Sequence, residues 1–73
     1  FAIEEIRVPD TLLGRTLMEL DLPHKYLLTA LSLKPAVDAG TEMIPPPIDR
    51  LMGEGDRLVL VGKRQDLARF ARG

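Results

Sequence analysis

The sequence predicts a small α+β domain in which a mostly antiparallel sheet packs with two helices, in the order β-α-β-β-β-α. Three observations predict it. Two stretches rich in Leu and Val, at 24–34 and 57–61, have the length and apolarity of buried strands. Leu13, Leu17 and Leu20 on one side, and Leu67, Phe70 and Ala71 on the other, repeat at helical spacing. Proline and glycine punctuate the chain between these segments, at Pro9, Pro23, Pro35, Pro45 to Pro47, Gly53, Gly55 and Gly62.

Each element has its own justification. Residues 1–8, FAIEEIRV, mix β-formers with a charged middle and stop at Pro9. Ile3 and the pair Ile6 and Val8 fall on opposite phases of a two-residue period, which a bulge or an edge position reconciles. Asp10-Thr11 supplies an N-cap, while Gly14 weakens the first turn, so regular helix is expected only from about Arg15 or Thr16. Pro23 ends that helix. HKYLLTALSLK, 24–34, is apolar on both alternating faces. Residues 35–41 form a loop. Residues 42–47 are a short extended piece, because three consecutive prolines impose polyproline geometry and remove ladder donors. LMGEGD, 51–56, is a turn, RLVLV a strand closed by Gly62, and 64–72 a terminal helix with one apolar side.

Composition removes several functions. The 73 residues provide one domain, 1–73, with no room for a second core. A chain this short stabilises itself marginally, and its apolar excess is the argument for a homodimer. It starts at Phe1 within a strand, so we expect a piece excised from a longer protein. No cysteine is present, which excludes disulfides, thiolate metal sites and a cysteine nucleophile. With 10 Lys and Arg against 11 Asp and Glu, a net charge of −1, and three aromatic residues, there is little to neutralise phosphates or stack on bases. No nucleic acid is expected as a partner. The apolar runs fall far short of the roughly 20 residues of a membrane span.

The cluster Gly53-Glu54-Gly55-Asp56 tests a nucleotide-binding reading. In the dinucleotide fingerprint the glycines follow a strand and open a helix, whose N–H groups meet the pyrophosphate. Here they precede the apolar run, so the cluster is a turn. No hydroxyl has a neighbouring base in a hydrolase arrangement, and no enzyme activity is expected. Glu4 with Glu5, and Glu54 with Asp56, read as solvated carboxylates, and adjacent strand residues face opposite ways. Calcium would need six or more convergent oxygens. The prolines at 45–47 read as a rigid connector rather than a docking motif.

Taken in order, Leu13-Gly14-Arg15-Thr16-Leu17-Met18-Glu19-Leu20, the Tyr-containing strand 26–33, Pro45-Pro46-Pro47 and the run 51–62 carry a resemblance. Over 6–70 the chain resembles the TrkA-C domain, or RCK C-lobe. The resemblance implies a cytoplasmic ligand-sensing and dimerisation lobe at the inner face of the membrane, regulating a potassium or other cation channel or transporter on the same or a partner chain. It implies no cofactor, since the nucleotide in such proteins belongs to a preceding Rossmann lobe. It also implies that Gly55 takes a positive φ and that Asp56 bonds back to turn N–H groups.

Members of the family that bind cyclic di-AMP do so between two C-lobes. Mapped onto this chain, the ligand residues are Asp21 and Leu22, then Pro23 where the family has Arg, Thr29 where it has Asn, and Pro46 in the proline region. Arg offers a planar fork of donors and proline offers none; His24 stands where it would replace part of that role. By itself, the lone His24 reads as a solvated residue at a strand start, and a metal site with Asp21 and Glu19 lacks ligands. The competing expectation is a purely structural dimerisation lobe with no ligand of its own.

Overall fold

The computed structural model describes residues 1–37 and 40–73; residues 38 and 39 of the expected 35–41 loop lie outside them. The elements are β1 (Ala2–Arg7), a 3-10 turn (Asp10–Leu12), α1 (Leu17–Leu20), a π turn (Leu22–Tyr26), β2 (Thr29–Lys34), β3 (Arg57–Gly62) and α2 (Arg64–Arg72). The sheet has the order β1-β3-β2, antiparallel throughout. The expected fold class therefore holds, with three strands and two helices.

β3 lies at the centre because its alternation serves both neighbours. Leu58 and Leu60 are fully buried and face Ile6 and Glu4 of β1 and Leu33 and Ala30 of β2. Val59 and Val61 point to the opposite face, where they pair with Glu5 and Ile3. Each buried leucine contributes about 1.5–3 kcal/mol. Strand β1 pairs with β3 in unbroken register, so its mixed phase is resolved by its edge position: Ile3 lies on the outer face, 66% exposed. The bulge is on β2 instead, between Ala30 and Ser32.

The helical segments close the other side of the core. Leu67 and Phe70 of α2 are buried against the sheet, with Asp66 beside them; Ala71, expected on this apolar side, is exposed. α1 is a single capped turn. Glu19 N–H donates to Thr16 Oγ1 at 3.2 Å, and Thr16 N–H donates to Glu19 Oε1 at 2.9 Å, a reciprocal capping box. The start near Thr16 is as the sequence predicts. Asp10 and Thr11 do not cap it; they lie inside the separate 3-10 turn after Pro9.

Two further expectations are corrected. Residues 24–26 belong to the π turn, and the strand begins at Thr29. Pro23 sits early in that turn, where a missing N–H costs nothing, and Leu27 has φ +59°, which no strand accommodates. The extended piece at 42–47 forms no strand: Met43 alone bridges to Leu33, and Pro45 to Pro47 supply no N–H. The Ile44–Pro45 peptide is cis.

Candidate functional site

An apolar concavity lies where α1, the π turn, the start of β2 and the proline segment meet. Its volume is about 280 Å³, and its lining is Leu17, Leu22, Pro23, Thr29, Ala30, Pro45, Pro46 and Ile48. Among the described residues, one hydroxyl and no charged group line it. Local geometry accounts for the shape. Asp21 ends α1 in the left-handed region (φ 49°, ψ 56°), which swings Leu22 back under the helix. The carbonyl of Leu22 then accepts the N–H groups of Leu27 and Leu28, closing the π turn before the chain enters β2. Across the opening, Ile48 C=O accepts from Met18 N–H at 3.1 Å, which holds the proline segment alongside α1.

The five residues expected at a site divide into two sets. Leu22, Thr29 and Pro46 line the groove. Asp21 and His24 lie outside the lining and engage each other, Asp21 Oδ1 to His24 Nδ1 at 2.8 Å, with the histidine side chain 84% exposed. That hydrogen bond, with the carboxylate charge, raises the His24 pKa above its ordinary value. His24 is thus solvated, as the residue alone suggests, but in a turn rather than at a strand start. Sequence reasoning missed Leu17, Ala30, Pro45 and Ile48 as lining, and treated Pro23 only as a departure from the family's arginine. The prolines were visible but read as breaker and connector, roles that do not exclude lining a groove. Among the described residues, no three His, Cys, Asp or Glu side chains gather to hold a metal.

The Gly53–Asp56 turn is where the carboxylate reading needs correction. Gly55 has φ +86°, and a Cβ there would lie 2.8 Å from Ala36 Cβ, so only glycine fits. Asp56 is not solvated surface: its residue is 3% exposed. Its Oδ2 accepts from Gly53 N–H and from Arg50 Nη1, both at 2.8 Å, and its Oδ1 accepts from Ala36 N–H at 2.9 Å. Burial works against the charge, but those three donors outweigh it and hold the carboxyl below its usual range. Glu5, by contrast, bridges Lys34 at 2.6 Å and Arg57 at 3.1 Å on the outer sheet face.

A three-stranded antiparallel sheet, a capped single turn running into a π turn, a proline segment and a glycine-aspartate turn define a small α+β lobe. The family model of the TrkA-C domain matches residues 3–72, and the chain belongs to that family. Comparison with curated proteins gives no match. Among solved structures, the RCK C domain of the potassium transport protein KtrA, in complex with cyclic di-AMP, superposes with a TM-score of 0.86 at 24% identity, covering 97% of this chain and 80% of that one. The RCK_C domain dimer of S. agalactiae BusR, also in complex with cyclic di-AMP, gives 0.76 at 26% identity, covering 93% and 83%. The GsuK channel bound to NAD gives 0.79 at 24% identity; this chain covers only 13% of it. BusR is also seen with its promoter DNA, in a chain of which this one spans 33%. No helix among the described residues is long and apolar enough to cross a membrane.

Proposed function

We propose that this chain is a cytoplasmic ligand-sensing lobe of an ion-transport regulator, working as a homodimer with a cyclic dinucleotide held between two copies. The observation that carries the reading is the groove itself. At about 280 Å³ it lies at the small end of the ~300–1,000 Å³ usual for a small-molecule site, and a second groove facing it across a two-fold axis would enlarge it.

The rim agrees with this reading. Met18 (63%), Ile44 (72%) and Ile48 (56%) are exposed large apolar side chains, and each either lines the groove or adjoins a lining residue in the chain. Exposed apolar side chains of this kind favour a surface that pairs. Lining by Leu22, Pro23 and Pro46 suits the faces of purine bases, and Thr29, Asp21 and His24 offer polar contacts at the edge. The BusR domain, at 26% identity, supports cyclic di-AMP as the first ligand to test.

A second reading, a structural dimerisation lobe without a ligand, is favoured by one specific fact: among the described residues, no cation lines the groove to meet a phosphate. Sedimentation of the domain with and without cyclic di-AMP decides between them, with cyclic di-GMP and ATP as controls. The sensor reading expects one cyclic di-AMP per two chains and a tightened dimer. A dimer indifferent to every ligand establishes the structural lobe. A persistent monomer refutes both.

A further inference from the structure

One wall of the groove is not part of the sheet or of α1. Pro45, Pro46 and Ile48 belong to a strap, residues 43–52, laid across the opening. Its backbone is fastened at three places. Met43 exchanges two hydrogen bonds with Leu33, at 2.9 and 3.0 Å; Ile48 C=O accepts from Met18 N–H; and Met52 pairs with Gly14 and Arg15 at 2.9 and 3.0 Å. Between the first two points stand Pro45 to Pro47, which have no N–H to give. The groove's width therefore depends on how firmly the distal half of the strap is held.

A side chain completes that hold. Arg50, two residues beyond Ile48, reaches Asp56 Oδ2 at 2.8 Å, and the Asp56 side chain is 4% exposed. Asp56 does not move freely, because the N–H groups of Gly53 and Ala36 fix both its oxygens at the entrance to β3. The Arg50 side chain, in contrast, is 36% exposed, so water competes for its end of the pair. A buried, three-bonded carboxylate thus holds a partly exposed guanidinium that belongs to the strap.

We propose that Arg50 and Asp56 are a positioning pair, which sets where the strap lies and thereby the groove's affinity for its ligand without touching that ligand. The inference rests on the groove being the ligand site. Neither residue lines the groove, so an effect on binding has to travel through Ile48 and the prolines.

Arg50→Ala, Arg50→Lys and the wild-type chain test it by two readouts. Asp56 is left alone because its loss also removes the Ala36 and Gly53 bonds, which are separate from the strap. The first readout is amide hydrogen exchange, which needs no ligand. Arg50→Ala should speed exchange at Met18, whose N–H reports the Ile48 bond, at least tenfold relative to amides of the β2–β3 ladder, and Arg50→Lys should recover much of that protection. The second is calorimetric titration with cyclic di-AMP, where Arg50→Ala should weaken binding about fivefold or more and Arg50→Lys less. Unchanged exchange at Met18, or an equal rise throughout the sheet, overturns the proposal, since the pair then only adds stability. Loosened exchange with unaltered affinity in a binding wild type overturns it as well. A wild type that binds no cyclic di-AMP defeats the proposed function, while the exchange result still decides whether the pair places the strap.

Discussion

Asp56→Ala should be the most damaging single polar substitution in this domain, and its cost can be worked from the three bonds it removes. Hydrogen bonds to a charged acceptor contribute about 1.5–3 kcal/mol each, and truncating one partner of a buried pair costs about 3–5 kcal/mol. Arg50, Ala36 and Gly53 all have access to water once the carboxylate is gone, since Arg50 is half-exposed and the two loop residues are exposed. Rehydration places the loss near the lower end, about 3 kcal/mol. A domain of this size has a total of roughly 4–11 kcal/mol to lose, and the melting temperature should fall by about 12–24 °C. The sign of the pH dependence is fixed by the depressed pKa. The carboxylate contributes fully above the ordinary value of about 3.9 and progressively less as pH falls through its lowered one. Urea unfolding of wild type and Asp56→Ala, at steps from pH 7 to pH 2, should therefore show a gap that is widest at neutral pH and closes in acid. The Arg50→Ala single variant should lose only about 1 kcal/mol, because its side chain stays partly solvated. A neutral-pH loss below about 1 kcal/mol for Asp56→Ala, or a gap that does not change with pH, would refute the reasoning.

Gly62→Ala should destabilise by about 1–3 kcal/mol through overpacking, because a Cβ there drives into Leu28 Cδ2 and lies 3.2 Å from the Leu27 carbonyl; a denaturant midpoint equal to wild type would show that the β3 end yields freely. His24 should titrate above about 6.5 by NMR and return to its ordinary value in Asp21→Asn, since the Asp21 bond is the first cause of its shift. Its contribution is complete below the ordinary value and fades as pH rises through the raised one, so a titration unmoved by Asp21→Asn would remove that bond from solution.

What the sequence conveyed well was anything set by local alternation or by a residue with one physical use. RLVLV reads as a buried strand because its length and branching leave little else, and the start of α1 is legible because Gly14 is a poor helix residue, although the cap that fixes it is Thr16-x-x-Glu19 rather than the expected Asp10-Thr11. The apparent strand 24–34 was harder. Its first residues are as apolar as the rest, and nothing in a two-residue period announces that Leu27 takes a left-handed conformation, normally left to glycine or asparagine. Its φ is imposed by tertiary demand: Leu28 must be buried at the core while Leu22 C=O receives two N–H groups. Asp56 shows the same limit. The family resemblance implies its bond to a turn N–H, found at Gly53, but Ala36 and Arg50 arrive from segments that only the folded chain brings near. The groove was half legible for this reason, since Leu22, Thr29 and Pro46 came through the family resemblance while Leu17 and Ala30 look like core in any local reading.

The lining also constrains how selective the proposed site can be. An apolar wall distinguishes ligands weakly, by about 1–3 kcal/mol per methylene, whereas a site that must hydrogen-bond a polar edge rejects analogues far more strongly. With Leu17, Leu22, Pro23, Ala30 and the strap supplying apolar surface, discrimination among nucleotides at the proposed site falls to the Thr29 hydroxyl in the lining and to the Asp21–His24 pair outside it. The strap enters differently. An effector moves a two-state equilibrium only by its difference in affinity for the two states, and a hundredfold ratio corresponds to about 2.7 kcal/mol. A groove whose far wall is a separately fastened strap can provide such a ratio without rearranging the sheet, because small displacements of Ile48 and Pro46 change the contacts on one side of the ligand alone. On the proposed reading, the chemistry that would select the ligand and the mechanics that would transmit its presence are carried by different residues, the polar groups Thr29, Asp21 and His24 for the first and the Arg50–Asp56 fastening for the second.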